Sequence, residues 1–247
     1  MIKDYSEYHF SFREYIRYML QGTLYISLIG GLFYQSIFGV VVLLPVVWLY
    51  CKKKKTELIN KRKWELNQEF KDGIISLSAA LSVGYSVEHA LEEAVKDLNQ
   101  LYKPDAYIVR EFTYIVNQIK MNISVEKALS NFANRSGVED IVSFAEVFST
   151  AKRTGGDLIQ IIKMSSNTIS SKIDVKREII TLITAKKYEA DIMKVIPLGI
   201  LLYLSFSSPG FLAPLYHNLF GITVMSLLLM IYFGAYLLAD KIVSIEV

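Results

Sequence analysis

Charge is missing from two long stretches of this chain. Between Tyr18 and Cys51 there is no Asp, Glu, Lys or Arg, and between Val195 and Ala239 there is none either. Runs this long and this apolar do not form the surface loops of a soluble domain. They read as membrane-spanning segments flanking a water-facing domain. Cysteine is reduced to Cys51, which excludes an internal disulfide and any cysteine-based zinc site. At the end of the first apolar block this thiol suits an inert apolar role, with palmitoylation as the alternative. Phosphate-binding loops are absent, since neither Gly-x-x-x-x-Gly-Lys nor Gly-x-Gly-x-x-Gly occurs. Histidine is limited to His9, His89 and His217, none of them in metal-ligand spacing with another. The net charge is only +3, and the central part has no compact Lys/Arg patch with interleaved aromatics, so nothing favours a nucleic-acid partner. No catalytic, cofactor-binding or metal site is expected.

What is present is apolar and helical. The 247 residues are 52% hydrophobic, with a mean hydropathy of +0.32. The first apolar run starts near Met19, too far in for a signal peptide, and no small-residue cleavage site follows before Lys52, so both blocks are expected to be retained. The second block is too long for one span. Ser207-Ser208-Pro209-Gly210, with Pro214 after it, predicts a turn between spans at about 191–207 and 218–239; Pro197 is expected to kink the first of these. The first block, 19–51, predicts a membrane hairpin with Gly30-Gly31 or Tyr34-Gln35-Ser36 at its turn, or else one long tilted span. Lys52-Lys53-Lys54-Lys55 after the block, and Lys3, Arg13 and Arg17 before it, favour two crossings with both flanks cytoplasmic. Lys186, Lys187, Lys194 and Lys241 give the same result around the second block. Residues 1–18 carry Tyr5, Tyr8, Phe10, Phe12, Tyr15 and Tyr18 among basic residues. They suit an amphipathic arm in the headgroup region, with a partner-binding arm as the alternative.

The segment 52–190 is patterned for helices. Leu66, Phe70, Ile74, Leu77 and Leu81 form one stripe, and Ile108, Phe112, Ile115 and Ile119 another; period-two alternation is not sustained anywhere. Gly84-Tyr85-Ser86 suits a left-handed helix terminus followed by an N-cap. Asn122-Ile123-Ser124 repeats the device, and Gly155-Gly156-Asp157, with Gln160 three residues on, matches a turn and a capping box. Three such turns predict a cytoplasmic antiparallel bundle of six helices. The fold class is therefore an all-α membrane protein, the bundle being flanked by N- and C-terminal transmembrane hairpins, with a cytoplasmic tail at 240–247. After Asp157 no Gly or Pro occurs before Pro197, so the last helix is expected to run from the domain into the third span. Glu189 and Asp191, close to Lys186, Lys187 and Lys194, read as a juxtamembrane salt-bridged cluster rather than as ion carriers of a transporter.

Several phrases resemble the type II secretion system F family, the membrane platform proteins of secretion and pilus machines, and within it the short TadB-like branch. They are Phe70-Lys71-Asp72 leading into Leu81–Ala90, Arg135–Asp140, Ala151–Leu158 and the terminal Lys241–Val247. The resemblance covers roughly residues 60 to 247. One copy of the domain is present, where the general secretion and type IV pilus members carry two. The resemblance implies a non-enzymatic platform in a bacterial inner membrane. Its expected partners are a cytoplasmic secretion ATPase, pilin-like subunits, a second related platform protein and further copies in an oligomer. Only Gly84, Ser86, Gly155, Gly156 and Asp157 carry over at motif level, as turn and cap residues. A small transporter or channel, or a membrane-anchored adaptor or regulator, are the competing readings.

Overall fold

The computed structural model describes residues 4–8, 10–154, 157–216 and 218–243. Among these, every regular element is helical. The order is α1 (Phe12–Tyr34), α2 (Ile37–Leu43), α3 (Pro45–Ser82), α4 (Val87–Leu101), α5 (Tyr107–Lys120), α6 (Val125–Ser136), α7 (Glu139–Thr154), α8 (Leu158–Ser207), the short α9 (Pro209–Leu212) with a 3₁₀ turn at Ala213–Leu215, and α10 (Leu219–Val243). The chain divides into two units. One is Met1–His9 with Thr56–Lys176; the other is Phe10–Lys55 with Arg177–Val247. Both later boundaries fall inside helices, within α3 and within α8.

The first unit has one hydrophobic core. The periodic stripes converge on it: Leu66, Phe70, Ile74 and Leu77 of α3, Ala90, Leu91 and Leu98 of α4, and Phe112 and Ile115 of α5 are all at most 1% exposed. Phe132 of α6, Ile141 and Phe148 of α7, and Ile162 and Ile173 of α8 complete it. Phe70 is the hub, with the rings of Phe112, Phe132 and Phe144 centred 6.5, 6.1 and 5.5 Å away in tilted or edge-on arrangements, the geometries aromatic pairs prefer. Gly73 lies where an added Cβ would come 2.9 Å from Phe112 Cζ, so its small size lets α5 approach α3.

The expectations for the N-terminal half need correction. The arm 1–18 is not one helix. Residues 4–8 are non-helical, and Tyr5 lies in the core of the first unit, 3% exposed. From Phe12 onward the segment belongs to α1, which starts where it does because Ser11 precedes it and its backbone N–H donates to Glu14 Oε2 at 3.0 Å, the reciprocal half of a capping box. Gly30 and Gly31 lie inside α1 rather than at a turn; the break comes at the other expected position, Tyr34-Gln35-Ser36, where Gln35 has a left-handed φ of 42°. Past the break, the chain runs back beside α1. A Cβ on Gly30 would fall 2.9 Å from Val40 Cγ2 and one on Gly22 3.1 Å from Val47 Cγ1; Ile26, Val47 and Cys51 are buried together. The Lys52–Lys55 run ends nothing: α3 passes through it to Ser82. The expected domain limits of 52 and 190 likewise shift to 56 and 176.

In the second unit Phe33, Leu212, Tyr216 and Met225 form a small cluster. Tyr216 donates to Leu32 O (2.8 Å), and the Tyr34 and Ser226 hydroxyls are 2.9 Å apart. Two helices among the described residues, α8 and α10, are long and apolar enough to cross a membrane. None of the apolar stretch of α8 and only 6% of that of α10 is buried within the chain, unlike the core helices of a soluble protein. That outward apolar surface is consistent with a membrane location.

Candidate functional site

The predicted turn residues are placed as follows. Gly84 has φ of 100°, a conformation only glycine adopts without strain. Two residues on, Ser86 Oγ accepts from the His89 backbone N–H at 3.3 Å and caps α4. Ser124 stands at the N-cap of α6, and the left-handed residue of that turn is Asn122, φ 63°. Asp157 Oδ1 accepts the Gln160 N–H at 3.0 Å at the start of α8. Gly155 and Gly156 lie outside the described residues, as do His9, His217 and Ser244–Val247. Pro197 sits inside the continuous α8, while Pro209 and Gly210 open α9 immediately after α8 ends at Ser207. The described ones, apart from Pro197, bound helices and do not converge on one place.

Three polar constellations do converge. In the first unit Glu111, 3% exposed, receives a two-pronged bond from Arg135, Nη1 to Oε1 at 3.0 Å and Nη2 to Oε2 at 2.6 Å, and a third from the Tyr5 hydroxyl at 2.9 Å. The Tyr5 N–H donates to Arg135 O at 3.0 Å. The guanidinium also lies over Tyr114 and reaches Asn131 Oδ1. Burial alone would lower the Arg135 pKa; the hydrogen bonds to Glu111 and its charge outweigh that and raise it. Burial, followed by the Glu111 charge, raises the Tyr5 hydroxyl, which stays a donor. This constellation clamps the N-terminal segment. Nearby, Tyr8 lies under the Arg62 guanidinium, 4.6 Å from its ring centroid.

A second constellation joins α3, α7 and α8. Asp140, 8% exposed, accepts from Asn67 Nδ2 at 2.7 Å and from Lys172 Nζ at 2.7 Å. The hydrogen bond to Asp140 is the main cause of the raised Lys172 pKa. Alongside, Glu69 of α3 accepts the Ile108 N–H at 2.9 Å. It thereby caps α5, whose own N-cap residue, Ala106, has no side-chain acceptor.

The third lies in the second unit, where α3, α8 and α10 meet. Asp240 of α10 pairs with Lys53 of α3 and, at 2.6 Å, with Lys194 of α8. Lys194 also reaches Asp191 at 2.9 Å and stands 4.7 Å above the Tyr236 ring. Tyr232 donates to the Lys194 backbone carbonyl at 3.0 Å, closing the staple. The side chain of Lys194 is only 11% exposed. Asp191 and Lys194 belong to the juxtamembrane cluster expected from sequence. Asp240, which pairs with Lys194 and Lys53, and the Tyr5–Glu111–Arg135 clamp were not expected. Glu111 was within reach of sequence reasoning, because it occupies i+3 of the Ile108–Phe112–Ile115 stripe, a position on the buried face.

Among the described residues there is no group of three or more His, Cys, Asp or Glu placed to hold a metal ion. What the three constellations do is fix helices to one another through paired charges. Comparison with family models, curated proteins and solved structures gives no match to this chain.

Proposed function

We propose that the protein is the membrane platform of a Tad-type pilus or type II secretion apparatus, coupling a cytoplasmic secretion ATPase to the assembly of pilin-like subunits in the membrane. In this reading the first unit is a cytoplasmic antiparallel six-helix bundle, formed by the end of α3, α4–α7 and the start of α8. The second unit comprises two transmembrane hairpins, one at α1–α3 and one at α8–α10, in a bacterial inner membrane with both termini cytoplasmic. The protein hydrolyses nothing itself, and works as an oligomer with a second related platform protein. The observation that carries the reading is α8. It is one 50-residue helix whose first part lies in the core of the first unit and whose last part is apolar enough to cross a membrane. A continuous helix transmits displacement that a flexible joint would dissipate. The sequence phrases that resemble the F family supply the direction of that coupling.

The test is an insertion of Gly-Ser-Gly-Ser after Thr181, where the flanking Thr181, Leu182 and Thr184 are exposed and belong to no core. The variant is expected to insert in membranes and to co-purify with the secretion ATPase encoded by its host, while filament assembly stops. Assembly at the normal rate would remove α8 as the coupling element. Absence of any association with a secretion ATPase would count against the platform itself and favour the adaptor reading.

A further inference from the structure

Charge is divided unevenly between the two units. Phe10–Lys55 with Arg177–Val247 holds eleven Lys and Arg against six Asp and Glu, a net +5, whereas Met1–His9 with Thr56–Lys176 holds sixteen against eighteen, a net −2. Within the second unit the positive charge is gathered at one end. Lys54 Nζ stands 6.0 Å from the Tyr18 ring, so Arg13 and Arg17 of α1 share that end with Lys52–Lys55 of α3. The Asp240 contacts bring Lys194 and the neighbouring Lys241 to the same end. At the opposite end, around Gln35 and around Pro209–Leu219, there is no Asp, Glu, Lys or Arg. The basic end is also ringed by outward-facing aromatics. Trp48 is 67% exposed with Lys52 Nζ 5.9 Å from its ring, and Phe12 and Tyr15 are exposed on α1.

Aromatic rings with one wet edge settle at headgroup depth, and lysine stems extend from apolar surface to reach phosphate. Lys53 pairs with Asp240, and Lys52 and Lys54 have partners of their own, so the attraction comes from the summed charge of this end rather than from unpaired lysines. We propose that Arg13, Arg17, Lys52, Lys54 and Lys55 form a collar that binds the phosphate headgroups of anionic phospholipids, with Trp48 and Tyr15 fixing its depth in the bilayer. The proposal rests on the membrane reading above and adds the lipid class to it. A cluster of this kind attracts anionic headgroups strongly near the surface and loses that attraction within a Debye length.

Trp48 supplies the readout, because the chain has only one other tryptophan, Trp64. The full-length Trp64→Phe protein is reconstituted in phosphatidylcholine vesicles containing the same fraction of brominated phosphatidylglycerol or brominated phosphatidylcholine. The anionic lipid is expected to quench Trp48 at least about threefold more efficiently, a preference that shrinks as salt rises. The added substitutions Lys52→Gln, Lys54→Gln and Lys55→Gln together bring the two lipids to parity. The matching triple Lys→Arg variant keeps the preference, and so does Lys127→Gln with Lys163→Gln in the first unit. Equal quenching by the two lipids in the parent protein, with the protein floating on the vesicles, overturns the collar and leaves the membrane reading standing. Failure to float with either vesicle overturns the membrane reading itself. Loss of the preference on adding inorganic phosphate at constant ionic strength would make soluble phosphate the ligand and overturn the lipid assignment.

Discussion

Arg135 illustrates how one side chain organises its surroundings. Its two-pronged bond to Glu111 satisfies a carboxylate that is 3% exposed, and its backbone carbonyl receives the Tyr5 N–H. Removing one member of a buried pair strands the other, so Arg135→Ala is expected to cost about 3 kcal/mol in denaturant unfolding of the detergent-solubilised protein. Replacing both members, Glu111→Leu with Arg135→Met, is expected to recover most of that loss, because no buried charge is left alone. Glu69 gives a pH signature. Burial raises its carboxyl pKa, and the Ile108 and Tyr107 N–H groups offset only part of the rise. The folded state therefore holds this proton more tightly than the unfolded state does. The stabilisation is complete below the ordinary glutamate range near pH 4 and is lost as pH rises through the raised value. Glu69→Gln, which stays neutral, is thus expected to match the parent in acid and to exceed it in melting temperature at neutral pH. Neither network is marked by a motif. Glu111 and Arg135 are 24 residues apart and meet only when α5 and α6 pack.

At the scale of elements, periodicity was legible, and so was the unbroken run of the last helix from the domain to Ser207, which is α8; the length of α3 was not. The stripe from Leu66 to Leu81 identifies α3, and its buried face is the one the spacing indicates. Gly84 at φ 100° and the Ser86 cap follow from residue type alone. Gly84→Val is accordingly expected to cost roughly 1 kcal/mol or more, seen as a lowered melting temperature with unchanged helical circular dichroism. The lysine run was harder to read. A change from apolar to charged residues marks where a helix leaves one solvent for another, but lysine is itself a good helix former. Nothing at Lys52–Lys55 interrupts the backbone bonding of α3, so the helix continues. The start of α1 was missed for a different reason: Ser11-Phe12-Arg13-Glu14 carries the Ser-x-x-Glu spacing of a capping box, but the aromatics around it drew the reading toward a surface arm. The break at Gln35 falls within Tyr34-Gln35-Ser36, one of the two turn positions the sequence offered, and a lone left-handed residue closes α1 there.

At the scale of the whole molecule, one contact spans a long stretch of chain. Tyr5 leaves the ribosome well before its partners: its hydroxyl bonds to Glu111, 106 residues further along, and its N–H bonds to a carbonyl further still. Between Tyr5 and those partners the chain must produce α1, α2 and the apolar start of α3. Contacts between residues so distant in sequence close late, because the intervening loop entropy is lost only once the rest of the core is in place. In pulsed hydrogen exchange during refolding, the Tyr5 amide is expected to gain protection after the amides of α4–α7; protection at the same time as α4 would show that the clamp nucleates the unit. Synthesis thus imposes a clock. For as long as the chain between Tyr5 and Arg135 is incomplete, Tyr5 has nowhere to go, and its docking waits on the synthesis of α5 and α6.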